Sequence, residues 1–136
     1  MKNCALFIIL MFLVTATSSC DNKQKGNQNL VFETKTLVSD TVSEEVGQID
    51  FYFKYSNEGQ YPIYLVSAEG TCYCTQAEFS EEGLMPGNSD VLHVTYNTIA
   101  RPGEFDKPVI ITYHYNDSTM VDTVTVKGYV TPIDLE

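Results

Sequence analysis

Ile49-Asp50-Phe51-Tyr52-Phe53-Lys54-Tyr55-Ser56 is the stretch that decides the fold class. Ile49, Phe51, Phe53 and Tyr55 alternate with Asp50, Tyr52, Lys54 and Ser56, and a period of two sends the first set to one face of a strand and the second to the other. One face suits a core and the other suits water, as in an antiparallel sheet with a single buried side. Asn57-Glu58-Gly59-Gln60 follows with the composition of a hairpin-type turn.

Working outward, the same pattern recurs. Leu30 to Val38 reads as a first strand, followed by a polar stretch through Glu44-Glu45. Beyond the turn, Tyr61 to Ala68 places Ile63 and Leu65 opposite Tyr64 and Val66, with Pro62 suited to a strand's first residue or a sheet edge. A short segment, Thr75 to Phe79, leads through Glu81-Glu82-Gly83 and the Met85-Pro86-Gly87-Asn88 turn to Val91–Tyr96, whose inner face is Leu92, Val94 and Tyr96. Arg101-Pro102-Gly103-Glu104-Phe105 reads as a loop. Val109 to Asn116 resumes the alternation, and Asn116-Asp117-Ser118-Thr119 turns the chain into a last strand, Val121 to Val130. About seven short strands, with turn signals every eight to twelve residues or so and no segment of helical period, predict an all-β fold: an immunoglobulin-like β-sandwich over residues 30–136. The chain has no Trp, and no two cysteines are spaced to bridge facing sheets, so the core is expected to rest on Phe, Tyr, Ile and Val.

Ahead of this domain, Met1-Lys2-Asn3 and the apolar run Cys4 to Val14 have the positive start and short apolar core of a signal peptide, residues 1–19. Thr17-Ser18-Ser19-Cys20 resembles a bacterial lipobox, with Thr17 at the position where an apolar residue is usual. Cys20 is therefore expected to carry the lipid (palmitate included) that holds the protein to a membrane. Residues 20–29, rich in Asn, Lys, Gln and Gly, form the flexible tether. Lys23 and Lys25, with Asp21 the sole acidic neighbour of Cys20, point to the cell envelope and to the outer membrane's periplasmic side. Eighteen acidic against eight basic residues give a net charge of −10, which excludes nucleic acid as a partner.

Thr71-Cys72-Tyr73-Cys74-Thr75 holds the candidate chemistry. In extended chain, residues two apart lie about 6.6 Å apart at Cα with side chains pointing the same way, the long edge of what a disulfide accepts. A bend would allow the bond. Same-side thiolates also suit Cu(I) or Zn(II), with Met85, His93 or His114 as further ligands, and a thiol-redox role or plain packing stays open beside these. His93 and His114 both fall on the polar parity of their strands, as surface histidines do. Glu44-Glu45 and Glu81-Glu82 read as solvated surface, and no Gly-x-Ser-x-Gly pattern accompanies the serines. These residues predict no catalytic constellation. The expected role is a non-enzymatic binding or scaffold module for an envelope protein or glycan; the alternative is a periplasmic thiol-redox or copper- or zinc-binding protein built on Cys72 and Cys74. Asp40-Thr41-Val42, Asp117-Ser118-Thr119 and Asp122-Thr123-Val124 resemble bacterial O-glycosylation acceptors, and the expected lie of loops and strands favours Ser118 and Thr41 over Thr123.

Several motifs in order carry a resemblance. Phe51-x-Phe53-x-Tyr55-x-Asn57-x-Gly59, Pro62-Ile63-x-Leu65, Cys72-Tyr73-Cys74-Thr75, Pro86-Gly87, Gly103-x-Phe105 and Gly128-x-Val130 together resemble the bacterial lipoprotein family with domain of unknown function 1573, whose hallmark is a Ser-Cys-Gly-Cys-Thr stretch. The match covers about Val46 to Val130. It implies an immunoglobulin-like or major-sperm-protein-like sandwich in the envelope, and no agreed activity. Thr71 stands where the family has Ser, and Tyr73 where it has Gly. Glycine permits positive φ and tyrosine resists it, so a tight turn is expected to be harder to close here.

Overall fold

The computed structural model describes residues 29–134. The expected signal peptide, residues 1–19, lies outside the described residues, as do Cys20 and the tether up to residue 28. Nine strands follow in order: β1 (Leu30–Phe32), β2 (Thr36–Val38), β3 (Val42–Ser43), β4 (Gln48–Asn57), β5 (Ile63–Gly70), β6 (Thr75–Glu78), β7 (Ser89–Asn97), β8 (Gly103–Tyr115) and β9 (Ser118–Thr131). One sheet has the order β1-β4-β7-β6; the other runs β2-β9-β8-β5, with β3 also pairing β9. The fold is the expected β-sandwich.

The alternation of β4 builds its centre. Phe51, Phe53 and Tyr55 are buried while Tyr52 and Lys54 are exposed. The antiparallel register with β7 sets Phe51 beside Val94 and Phe53 beside Leu92, and Phe105, Val109, Ile111, Tyr113, Val124 and Val126 close the core from the other sheet. Tyr96 stacks on Phe105 across the gap, ring centroids 3.9 Å apart. Side chains this deep matter: truncating Phe53 to alanine would cost about 3–5 kcal/mol.

The first expected strand, Leu30 to Val38, is in fact two strands in different sheets. Glu33-Thr34-Lys35 crosses between them, and its charged residues grip one sheet each. Glu33 meets Lys54 of β4 at 3.0 Å, and Lys35 meets Asp122 of β9 at 2.7 Å. The second correction concerns Gly103 to Phe105, which opens β8 instead of forming a loop, because Phe105 is drawn into the core. Gly128, opposite Phe105, has to be glycine, since a Cβ there would lie 2.6 Å from the Phe105 ring and run into the Ser39 hydroxyl. The β8–β9 hairpin turns on Asn116-Asp117 alone, with Asn116 at φ 53°, a conformation asparagine tolerates. Ser118 therefore opens β9 rather than sitting in the turn. It is exposed, as are Thr41 between β2 and β3 and Thr123 within β9.

Asn57 closes β4 and is fully buried. Its Nδ2 donates to the carbonyls of Tyr61 and Leu84, each at 2.8 Å, and its Oδ1 accepts from the Gly59 N–H at 2.9 Å. Leu84 in turn exchanges two backbone bonds with Ile63. A single residue of the β6–β7 connection is thus laid against the outer edge of β5.

Candidate functional site

β5 ends one sheet and β6 ends the other, so the chain passes between sheets at one open side of the sandwich. The passage is Thr71 to Cys74. Cys72 and Cys74 are joined by a disulfide with their Cα atoms 5.2 Å apart, shorter than extended chain would give. The bend needs no left-handed residue: among the described residues, Ala100 and Asn116 alone are non-glycines with positive φ. Tyr73 is accommodated because its backbone stays in ordinary space and its side chain, fully exposed, projects into water. The expectation that tyrosine would hinder the turn is corrected on that ground.

Backbone bonds fix the turn to both sheets. The Thr71 N–H donates to the Pro108 carbonyl of β8 at 3.4 Å, and the Asn97 N–H of β7 donates to the Cys74 carbonyl at 2.8 Å. The Thr75 N–H closes on the Cys72 carbonyl at 3.2 Å, and the buried Thr75 hydroxyl lies 3.6 and 3.7 Å from the two sulfurs. Gly70 lets this happen: a Cβ there would sit 2.6 Å from the Thr75 carbonyl oxygen. Cys74 is buried and Cys72 half-buried, so the bridge forms part of a wall.

That wall belongs to an open groove of about 790 Å³. Ala68, Glu69 and Gly70 of β5 form one side, Thr75 to Glu78 of β6 the other, and Thr71 to Tyr73 the closed end. Its charged lining residues are Glu69 and Glu78, and it has no basic one.

The remaining candidates lie elsewhere. His93 stacks flat on Tyr52, centroids 4.8 Å apart, on the outer face of its sheet. Its Nε2 is 2.8 Å from Asp50 and its Nδ1 3.5 Å from Glu78. The hydrogen bond from His93, and then one from Gln48, hold the Asp50 carboxyl below its usual range. His93 is four residues along β7 from Asn97, which bonds Cys74, so it stands roughly 14 Å from the bridge. His114 pairs with Tyr64 towards the other end of β5, its Nδ1 bonded to the Thr119 hydroxyl at 3.2 Å. Met85 follows Leu84 and is exposed near that same far end. The structure brings Cys72 and Cys74 together and brings none of Met85, His93 or His114 to them. Among the described residues no cluster of three His, Cys, Asp or Glu is placed to hold a metal ion. Glu44-Glu45 lies in a 3-10 turn and Glu81-Glu82 in a loop.

A family model described as "Protein of unknown function (DUF1573)" matches residues 30–130. No curated protein matches the chain. Among solved structures, a protein of unknown function from Porphyromonas gingivalis W83 superposes with a TM-score of 0.60 at 14% identity, over 74% of this chain and 46% of that one. The Vibrio cholerae VesB protease gives 0.58 at 11% identity, over 75% and 32%. The E. coli chaperone DraB gives 0.50 at 13% identity, over 79% and 57%. The chain therefore spans roughly a third to somewhat over half of these three structures. At these identities the likeness is one of fold.

Proposed function

The chain belongs to the family described as protein of unknown function DUF1573, and we propose that it serves as a non-enzymatic binding module of the cell envelope, held by a lipid on Cys20 at the periplasmic side of the outer membrane. One observation carries the reading: the groove between the two edge strands, its end closed by a bridged turn and its rim marked by the exposed Tyr73. A large aromatic side chain held in water on a rigid turn is a suitable anchor for a partner, because its burial gains area at little cost in conformational freedom. Loops and edges fixed on a rigid sandwich commonly carry binding. That one fold neighbour is a chaperone by name agrees with this reading, and the protease by name matches over only a third of its length.

The test is site-specific cross-linking in cells with a photoreactive residue at position 73. An envelope protein or glycan captured from position 73, and not from Val121 on the outer face of the other sheet, supports the module. Equal capture from both positions, or from neither, refutes it. For the anchor, Cys20→Ala is expected to release the protein from membranes or to halt its processing; a correctly cleaved variant that still fractionates with membranes sinks that part.

A second reading, thiol chemistry or soft-metal binding at Cys72 and Cys74, is favoured by the bridge itself, whose Cys72 is one of the groove's lining residues. Reduction would turn it into a pair of thiols only two residues apart. Thiol counting and metal analysis on protein purified without air separate the two: stoichiometric metal, or thiols cycling at a defined potential, would favour the second.

A further inference from the structure

The free edge of β5 has the form of an acceptor for another strand. Ile63 gives both backbone groups to Leu84 on the side away from β8. By the alternation of the ladder, Leu65 points its N–H and C=O to that same side, and after the bulge at Val66 so does Ala68. Among the described residues no strand pairs with them there. The chain shields the first half of this edge with Pro62, the Leu84 bridge and the bulge, three devices that keep edges from pairing with strangers. The last part, Ala68 to Gly70, opens into the groove. This edge is already used once by the protein's own Leu84, and the groove continues it.

Resting on the binding-module reading, we infer that an extended peptide segment bearing Lys or Arg adds as a strand to β5 between Leu65 and Gly70. Charge selects the occupant. Glu69 on β5 and Glu78 on β6 put a carboxylate on each side, and Glu78 stays 83% exposed beside His93. Those carboxylates, on a chain of net charge −10, repel a second copy of the same protein and attract a cationic segment. Backbone pairing supplies affinity without demanding a sequence, as in other strand additions. Tyr73 at the closed end offers a ring face to a terminal Lys or Arg.

The experiment titrates the purified protein with a capped peptide of alternating lysine and valine, about six residues long to match roughly 3.4 Å per residue along the edge. Amide hydrogen exchange and NMR shifts are the readout. Leu65 and Ala68 amides are expected to gain protection. A peptide with glutamate for lysine, and one N-methylated at every residue so that neither edge can donate, are expected not to bind. The Glu69→Lys, Glu78→Lys double variant should weaken the lysine peptide roughly tenfold, as loss of two exposed ion pairs predicts. Ala68→Pro removes an outward N–H while sparing the ladder to β8, and should abolish binding; if that variant does not fold, the charge variant and the methylated peptide decide. Binding of the acidic peptide with equal strength, protection elsewhere, edge-to-edge dimerisation of the protein, or no response to any peptide overturns the inference. Partner capture from position 73 without protection at Leu65 and Ala68 would leave the module standing and remove strand addition alone.

Discussion

Replacing Asn57 by aspartate exchanges one atom group and should cost a large part of the domain's stability. The buried amide of Asn57 donates to two carbonyls, of Tyr61 and Leu84, at 2.8 Å each. In Asn57→Asp the oxygen that replaces Nδ2 faces both carbonyl oxygens and can donate to neither while ionised. Each orphaned buried carbonyl costs about 1–3 kcal/mol, and the carboxylate itself loses water, so the sum at neutral pH is about 3–5 kcal/mol. Single domains hold only about 5–15 kcal/mol in total. The defect also carries a pH signature. Burial and facing carbonyls raise the new carboxyl's pKa in the folded state above its unfolded value near 3.9. A raised folded pKa means the stability is greatest at low pH and is lost as pH rises through the folded value, by up to about 1.4 kcal/mol per pH unit. Protonation restores one donor. Urea unfolding of wild type, Asn57→Asp and Asn57→Ala between mildly acidic and neutral pH reads all of this. The aspartate variant should recover relative to the alanine variant as pH falls, while the alanine variant should follow wild type at a constant offset. An aspartate variant within about 0.5 kcal/mol of wild type, or one that tracks the alanine variant across pH, would refute the reasoning.

Further expectations follow from single contacts. Gly70→Ala forces a Cβ to 2.6 Å from the Thr75 carbonyl, so it should destabilise by about 1–3 kcal/mol, as overpacking does; a thermal midpoint unchanged from wild type would show that the turn can shift freely. Burial raises the phenol pKa values of Tyr55, Tyr96 and Tyr113 above 10, with Asp90 adding to the effect at Tyr55 and Asp122 at Tyr113. Raised folded values mean stability intact below pH 10 and lost above it, by up to about 1.4 kcal/mol per pH unit for each ring. If all nine tyrosines instead ionise together near pH 10 in the folded protein, measured by phenolate absorbance, that account fails. For glycosylation, intact-mass mapping of protein from its native host should find Ser118 or Thr41 modified before Thr123, which sits mid-ladder opposite Ile110. A single sugar on Thr123 with the others bare would reverse the order.

The sandwich was legible because its central strands bury one face only: Phe51, Phe53 and Tyr55 announce an inside by alternation, and so do Leu92, Val94 and Tyr96. The split between β1 and β2 has a signature in the sequence too. Leu30 and Phe32 occupy even positions and Leu37 an odd one, a change of parity across Glu33-Thr34-Lys35 that a single continuous strand does not permit. Phe105 likewise shares the odd parity of Val109, Ile111 and Tyr113, which outweighs the loop signal of Pro102-Gly103. The groove had no such signature. It depends on which strands end their sheets, a property of topology that periodicity does not encode, and the bridge of Leu84 to Ile63 joins residues with no repeating pattern between them. The cysteine stretch was singled out by composition, but its bend depends on bonds from Thr71 to Pro108 and from Asn97 to Cys74, which only the folded chain assembles.

The placement of β2 and β3 has a mechanical consequence. Both run parallel to β9, pairing Thr36 to Val38 with Thr125 to Lys127 and Val42-Ser43 with Val130-Thr131. A pull on the two ends of the domain drags β2 and β3 one way and β9 the other along a common axis, so these bonds bear the load in shear, together, instead of opening one after another like a zip. Among the described strands, the three-residue β1 alone stands outside this clamp on the leading side. If the domain is held at one end and pulled at the other, the load therefore meets this short parallel pairing along the strand axis, where its bonds must give way together.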